Sequence, residues 1–194
     1  MHEGIGRHRR TNEGDNSAER VLHDSSAAVE PRVGPRPLLD EVGPHWQHDQ
    51  RSPPAVWVAV WDALRNIPGV IIGPSAMGEP DARAVLVPHV TRPIEGTSFA
   101  QPGAPLEPAH LHGPRDTSLH VVLPPPRAAE VVELGWATFC PHARFGSELI
   151  FYAPRDPREL AVVVAFAQEG VGWALRENAV TTFRPPVLTT RFAI

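Results

Sequence analysis

The chain reads as an α+β fold: a mainly antiparallel sheet with helices packed on one face, in a single domain behind a disordered N-terminal segment. Three observations predict it. Apolar residues recur at helical spacing in separate stretches, short β-branched runs bounded by Gly and Pro lie between those stretches, and the strands come in runs rather than in strict alternation with helices.

Residues 1–50 carry Gly, Pro, Asn, Ser, Asp, Glu and Arg, with only Val21-Leu22, Leu38-Leu39 and Trp46 able to pack. Such a segment cannot bury enough apolar surface to offset its ordering entropy. It is expected to be disordered or loosely draped on the domain from Pro35 to Trp46, and its histidines, His2, His8, His45 and His48, to be simply solvated. The α+β domain is then 51–194.

Ser52-Pro53-Pro54 looks like a helix start, with Ser as the cap. Trp57, Val60, Trp61 and Leu64 follow at helical spacing, and Asn66-Ile67-Pro68-Gly69 stops the helix. The two tryptophans suit a core stripe better than a ligand-stacking pair. Val70 to Ile72 and Ala84 to Val90 read as strands, with Gly73 to Asp81 as a turn-rich connection, and Thr97 to Gln101 as a further strand. Ser118 to Leu123 is a clear strand ended by three prolines. Arg127 to Leu134 is a short helix stopped by Gly135. Ala137 to His142 and Glu148 to Ala153 form a hairpin. Asp156-Pro157-Arg158-Glu159 is a capping-box start for a helix that Gly170 or Gly172 ends or breaks, and Thr181 to Ile194 adds an edge strand.

Composition excludes some chemistry. All 18 positive side chains are Arg, so Schiff-base chemistry, pyridoxal phosphate included, and a Walker-type phosphate lysine are out. A net charge of −4 with scattered arginines argues against nucleic acid. Cys140 is the single cysteine, which rules out an internal disulfide and a CxxC knuckle. No apolar run reaches membrane-spanning length, and the polar start lacks a signal-peptide core, so the expectation is a soluble cytoplasmic protein.

The densest chemistry lies in Glu107-Pro108-Ala109-His110-Leu111-His112-Gly113-Pro114-Arg115-Asp116-Thr117-Ser118-Leu119-His120. In an extended segment His110 and His112 share a face. His120 shares its face with Ser118 and Val122, away from Leu119, Val121 and Leu123. If the apolar set faces the helices, strand pairing brings three imidazoles together on the open sheet face. With Glu107 as a further ligand or base, such a set holds Zn, Fe, Cu or Ni. Without metal the same groups suit acid–base work. Cys140 is a nucleophile or soft ligand beside His142, or a small buried hydrophobe. Arg155, at a strand end, binds a substrate carboxylate or pairs with an acid.

A family resemblance rests on Ala109-His110-Leu111-His112, Ser118-Leu119-His120-Val121-Val122-Leu123-Pro124, Gly135-Trp136 with Cys140-Pro141, Tyr152-Ala153-Pro154-Arg155-Asp156, and Glu159-Leu160. Over roughly residues 55–176 the chain resembles the "luciferase domain" family of small bacterial and fungal proteins. The name does not itself imply light emission or flavin use. The resemblance implies that Glu107, His110, His112, His120, Arg155 and Asp156 sit at positions of matching residue type. The family tends to read His-Pro after its Gly-Trp. Here Cys140 precedes Pro141, so either Cys140 substitutes for that histidine or His142 moves in.

The leading expectation is a small enzyme acting on an organic metabolite, in a biosynthetic setting, with His110, His112 and His120 as metal ligands or acid–base groups. Glu107 is a further ligand or base, Cys140 and His142 the variable wall, and Arg155 an anion anchor. The alternative is a non-enzymatic module that binds a small ligand or a partner protein through the same face.

Overall fold

The computed structural model describes residues 29–41, 45–88, 96–99, 105–141 and 147–182. In order they form α1 (Pro54–Arg65), β1 (Ile71–Pro74), β2 (Arg83–Val87), β3 (Leu106–Leu111), β4 (Leu119–Val122), α2 (Pro125–Glu133), β5 (Ala137–Phe139), β6 (Glu148–Phe151) and α3 (Pro157–Thr182). The strands make one sheet in the order β1-β2-β3-β4-β6-β5, every neighbouring pair antiparallel. Helix α3 lies across β2, β3 and β4, α1 packs on α3, and α2 packs beside β5. The α+β class with an antiparallel sheet is as the sequence predicts. Among the described residues, no helix is long and apolar enough to cross a membrane.

The apolar alternation decides which face the helices take. Val121 and Leu123 point toward α3, where Gly170 allows a close approach: a Cβ there would stand 2.6 Å from the carbonyl oxygen of Val122 and 2.8 Å from Val121 Cγ1. Gly170 therefore seats the helix on the sheet rather than ending it, and α3 runs unbroken through both glycines to Thr182. That corrects the expected break. Thr181 and Thr182 are helical, and the rest of the expected C-terminal strand lies outside the described residues.

Other local expectations change for identifiable reasons. Ser52 is not a helix cap, because its hydroxyl donates to Pro154 O at 2.7 Å and Pro53 precedes the first turn. Val60 and Leu64 are fully buried, with Trp57 and Trp61 half-buried beside them. Asp156 does cap α3, accepting from Glu159 N–H at 2.9 Å. Glu159 reaches back to Arg155 N–H at 3.0 Å rather than to the cap residue. Residues 97–99 form bends, not a strand, although Phe99 N–H donates to Glu107 O at 2.9 Å.

From Pro31 onward the described residues belong to one compact unit. Arg32, His45 and Gln47 are buried, and Leu39 and Gln47 form a bridge. Nor is the sheet's other face open: β3, β4 and β6 are buried at every residue. The expected disorder of residues 1–28 lies outside the described residues.

Candidate functional site

Strand pairing assembles the histidines. His110 on β3 stands directly opposite His120 on β4, and His112 N–H extends the ladder by donating to Ser118 O at 3.0 Å. Residues directly opposite in an antiparallel pair share a face, so the alternation within each strand places all three imidazoles together. Their ring centroids are 4.6 Å (His110–His120), 4.8 Å (His112–His120) and 5.5 Å (His110–His112) apart. Phe99 tilts against His110 at 5.1 Å.

Glu107 joins them through an irregularity. Simple alternation would put Glu107 and His110 on opposite faces. Between the pairs Val85↔Ala109 and Val87↔Leu106, however, β3 advances three residues against two in β2. This bulge spans Glu107 and Pro108, and a proline without an N–H is at home there. It brings Glu107 Oε1 to 2.9 Å from His110 Nδ1. The contact lies off the axis of a hydrogen bond. The carboxylate is held elsewhere: Ser75 Oγ donates to Oε1 at 2.5 Å and Ala76 N–H to Oε2 at 2.9 Å. Burial raises the Glu107 pKa against these two hydrogen bonds.

Asp116 orients the third imidazole. His112 Nδ1 meets Asp116 Oδ2, and Ser118 Oγ lies 3.2 Å from the same nitrogen. Asp116 Oδ1 accepts from Gln47 N–H at 3.2 Å and Ser118 N–H at 3.1 Å. Burial alone would raise the Asp116 pKa, but the hydrogen bonds from His112 and Ser118 outweigh it and hold it below the ordinary value. Trp57 Nε1–H donates to His112 O at 3.0 Å, which fixes the backbone as well. With Nδ1 engaged by a carboxylate, Nε2 of His112 is the nitrogen left to face the cluster.

The three imidazoles are 2%, 4% and 8% exposed (His110, His112 and His120), and the neutral forms of His110 and His120 are favoured. His110 is lowered to about 3 by burial and then by His112. His120 is lowered well below its ordinary value by burial and then by His110 and His112. His120 Nε2 and His110 Nδ1 are buried without a hydrogen-bond partner. An unsatisfied buried polar group costs about 1–3 kcal/mol, so each calls for an explanation. One ligand atom from each ring lies within 4.8 Å of the other two. Three such atoms lie within about 2.8 Å (4.8 Å divided by √3) of a common centre, against ligand bonds of about 2.0–2.1 Å. Buried, convergent and partly orphaned imidazoles fit a divalent transition metal after small side-chain adjustments.

Beside the cluster is a cavity of about 280 Å³, lined by His45, Met77, Gly78, Glu79, Pro80, Phe99, Cys140 and Glu148 as well as the three histidines. Cys140 thus borders the site, at the end of β5, where its N–H donates to Glu148 O at 2.9 Å. His142 lies outside the described residues. Arg155 stands apart, bordering a different cavity of about 250 Å³. Its Nε donates to Glu159 Oε1 at 2.9 Å, its Nη2 to Val33 O at 2.7 Å and its Nη1 to Gln50 Oε1 at 3.2 Å. The Glu159 carboxylate holds the Arg155 pKa above its ordinary value.

Sequence reasoning assigned no role to Asp116, His45, Glu148 or the Met77–Pro80 loop. Asp116 carried a usable signal, an acid four residues after His112 in a tight Gly-Pro turn. The others carried none, because distant segments bring them in. No curated protein and no solved structure matches the chain. Residues 105–170 match the family model described as Luciferase domain, a shorter stretch than the 55–176 over which the sequence shows its resemblance. That segment begins at β3, holds His110, His112 and His120, and reaches well into α3, so the similarity to the Luciferase domain covers about a third of the chain and takes in the histidine cluster.

Proposed function

We propose that His110, His112 and His120 hold a divalent transition metal (Zn, Fe, Cu or Ni), and that the protein is an enzyme acting on a small organic metabolite bound in the adjoining cavity. The observation that carries the reading is the convergence of three buried imidazoles, with His120 Nε2 left without a hydrogen-bond partner. A site of three protein ligands with space beside it is the arrangement of catalytic rather than closed structural centres. The favoured neutral forms of His110 and His120 suit ligands better than proton donors, which supports metal over unaided acid–base chemistry.

A bound ion would supply Lewis-acid polarisation of a substrate oxygen or nitrogen. The residues of the chain do the rest. Asp116 fixes the ring orientation and tautomer of His112, and Glu107 stands beside His110 to play the same part once the ring turns into line. Phe99 and the buried strands exclude water from the cluster. Glu148 and Cys140 form the far wall as candidate proton-transfer groups. The cavity has the size of a small metabolite, near the lower end of ligand pockets.

Metal analysis of protein purified without a His tag tests the reading. One divalent ion per chain is expected, lost in the His110→Ala, His112→Ala double variant while the fold survives. Absence of metal from the wild-type protein, even after reconstitution with each of the four ions, would refute it.

A further inference from the structure

The hairpin from Leu38 to His48 lies outside the matched segment 105–170, and nothing in its composition marks it as part of a site. It is nonetheless firmly fastened. Asp40 N–H donates to Trp46 O at 3.2 Å, His48 N–H donates to Leu38 O at 2.9 Å, and Trp46 N–H donates to Asp40 Oδ2 at 3.1 Å. Gln47 is 1% exposed and uses its whole side chain. Its Oε1 accepts from Ala153 N–H at 2.9 Å, and its Nε2 donates to Asp49 O at 2.8 Å and Gln50 O at 3.0 Å. Its backbone N–H reaches Asp116, the carboxylate that orients His112. A fully satisfied buried amide is a fixed point, since moving it would strand several polar groups at once.

Two residues before this fixed point stands His45. It is 4% exposed, its Nδ1 lies 3.3 Å from Asp40 O, and its φ is +58°, a left-handed conformation uncommon outside glycine. His45 lines the histidine cavity but is not among the three rings whose ligand atoms converge. Among the other described lining residues, Met77, Gly78, Pro80 and Phe99 offer no polar side chain, and Glu79 and Glu148 are acceptors when ionised. With Glu79 and Glu148 ionised, and apart from the weak thiol of Cys140, His45 is the one described side chain outside the triad that can donate a hydrogen bond into the cavity.

We propose that His45, delivered by this hairpin, is a ligand-contacting residue that donates a hydrogen bond to the metal-facing oxygen or nitrogen of a small Lewis-basic molecule. The proposal rests on the metal-centre reading above. The test uses the full chain loaded with cobalt(II), whose visible spectrum reports the metal, and azide as a small probe that binds metals and accepts hydrogen bonds. Wild type is expected to take up one cobalt and to bind azide. His45→Ala should keep the cobalt stoichiometry and bind azide about 3- to 10-fold more weakly, the loss of one hydrogen bond. His45→Gln should recover part of that loss, and Leu38→Ala, whose side chain is exposed on the same hairpin, should change nothing. Equal azide affinity in cobalt-loaded wild type and His45→Ala overturns the proposal alone. So does a cobalt spectrum indifferent to azide in wild type, or loss of cobalt in His45→Ala. Failure of the wild type to bind cobalt overturns the metal centre itself.

Discussion

Replacing Asp116 with Asn preserves shape while inverting one hydrogen bond. Gln47 N–H and Ser118 N–H both donate to Oδ1, so an asparagine must keep its oxygen there and turn its NH₂ toward His112 Nδ1. The flipped amide would set its NH₂ against two other N–H donors. An NH₂ only donates, so Nδ1 must accept, and the proton of the neutral ring moves to Nε2. A protonated Nε2 cannot ligate. Changes of this kind typically weaken metal affinity by about 10- to 100-fold, or about 1.4–2.7 kcal/mol. Competition with a chromogenic chelator for zinc near neutral pH measures that loss, and thermal unfolding of the metal-free protein supplies the control. The metal-free variant should itself be destabilised by about 1–2 kcal/mol, because neutral hydrogen bonds replace charge-assisted ones. Zinc affinity within about threefold of wild type, below the loss such a ligand-orienting carboxylate should cause, would show that Asp116 merely staples the turn before β4 and orients no ligand.

Gly170→Ala should force α3 away from β4, since the new Cβ would meet Val122 O and Val121 Cγ1 well inside contact distance. The expected cost is about 1–3 kcal/mol, or a fall in Tm of roughly 2–12 °C for a domain this size. Metal affinity should barely change, because the histidines occupy the other face of the sheet, and an unaltered Tm would contradict the packing argument. Metal-free protein should lose stability as pH falls from 6.5 toward about 3. His110 and His120 resist protonation when folded, whereas the unfolded chain takes up those protons, so their contribution is complete above 6.5 and disappears toward the folded values. Glu107, raised by burial above 4.5, acts in the opposite sense. Thermal melts of chelator-treated protein between pH 6.5 and 4.5 check the balance, and a flat Tm would show that the histidines are not held in neutral form.

Much of the scaffold was legible in the sequence because its signals are local. The spacing of Val60 and Leu64, the Asp156 cap and the apolar run of β4 each depend on neighbours within a few residues. The shared face of His110 and His112, and the opposition of Leu119 and Val121 to His120, follow from the two-residue period of a strand. Misreadings arose where tertiary contact overrode a local rule. Gly170 looks like a helix stop and is a contact point, and Ser52 looks like a cap and bonds Pro154 instead. For Arg155, of the two readings the sequence leaves open, the contact seen is the pairing with an acid, Glu159.

By itself, then, the sequence determined the α+β class and the three-histidine set, since alternation and helical spacing are properties of the backbone that any chain with this pattern must obey. Tertiary structure alone decided what completes the site. Glu107 reaches the histidine face only because a bulge shifts β3 by one residue against β2, a matter of pairing between strands some twenty residues apart. His45 and the Gln47 anchor arrive from a segment too polar to predict its own order, which gains that order from partners on the domain. The histidine face is closed rather than open for the same reason. Burial is settled by whichever distant segments pack against a face, and no periodicity within the strand encodes them.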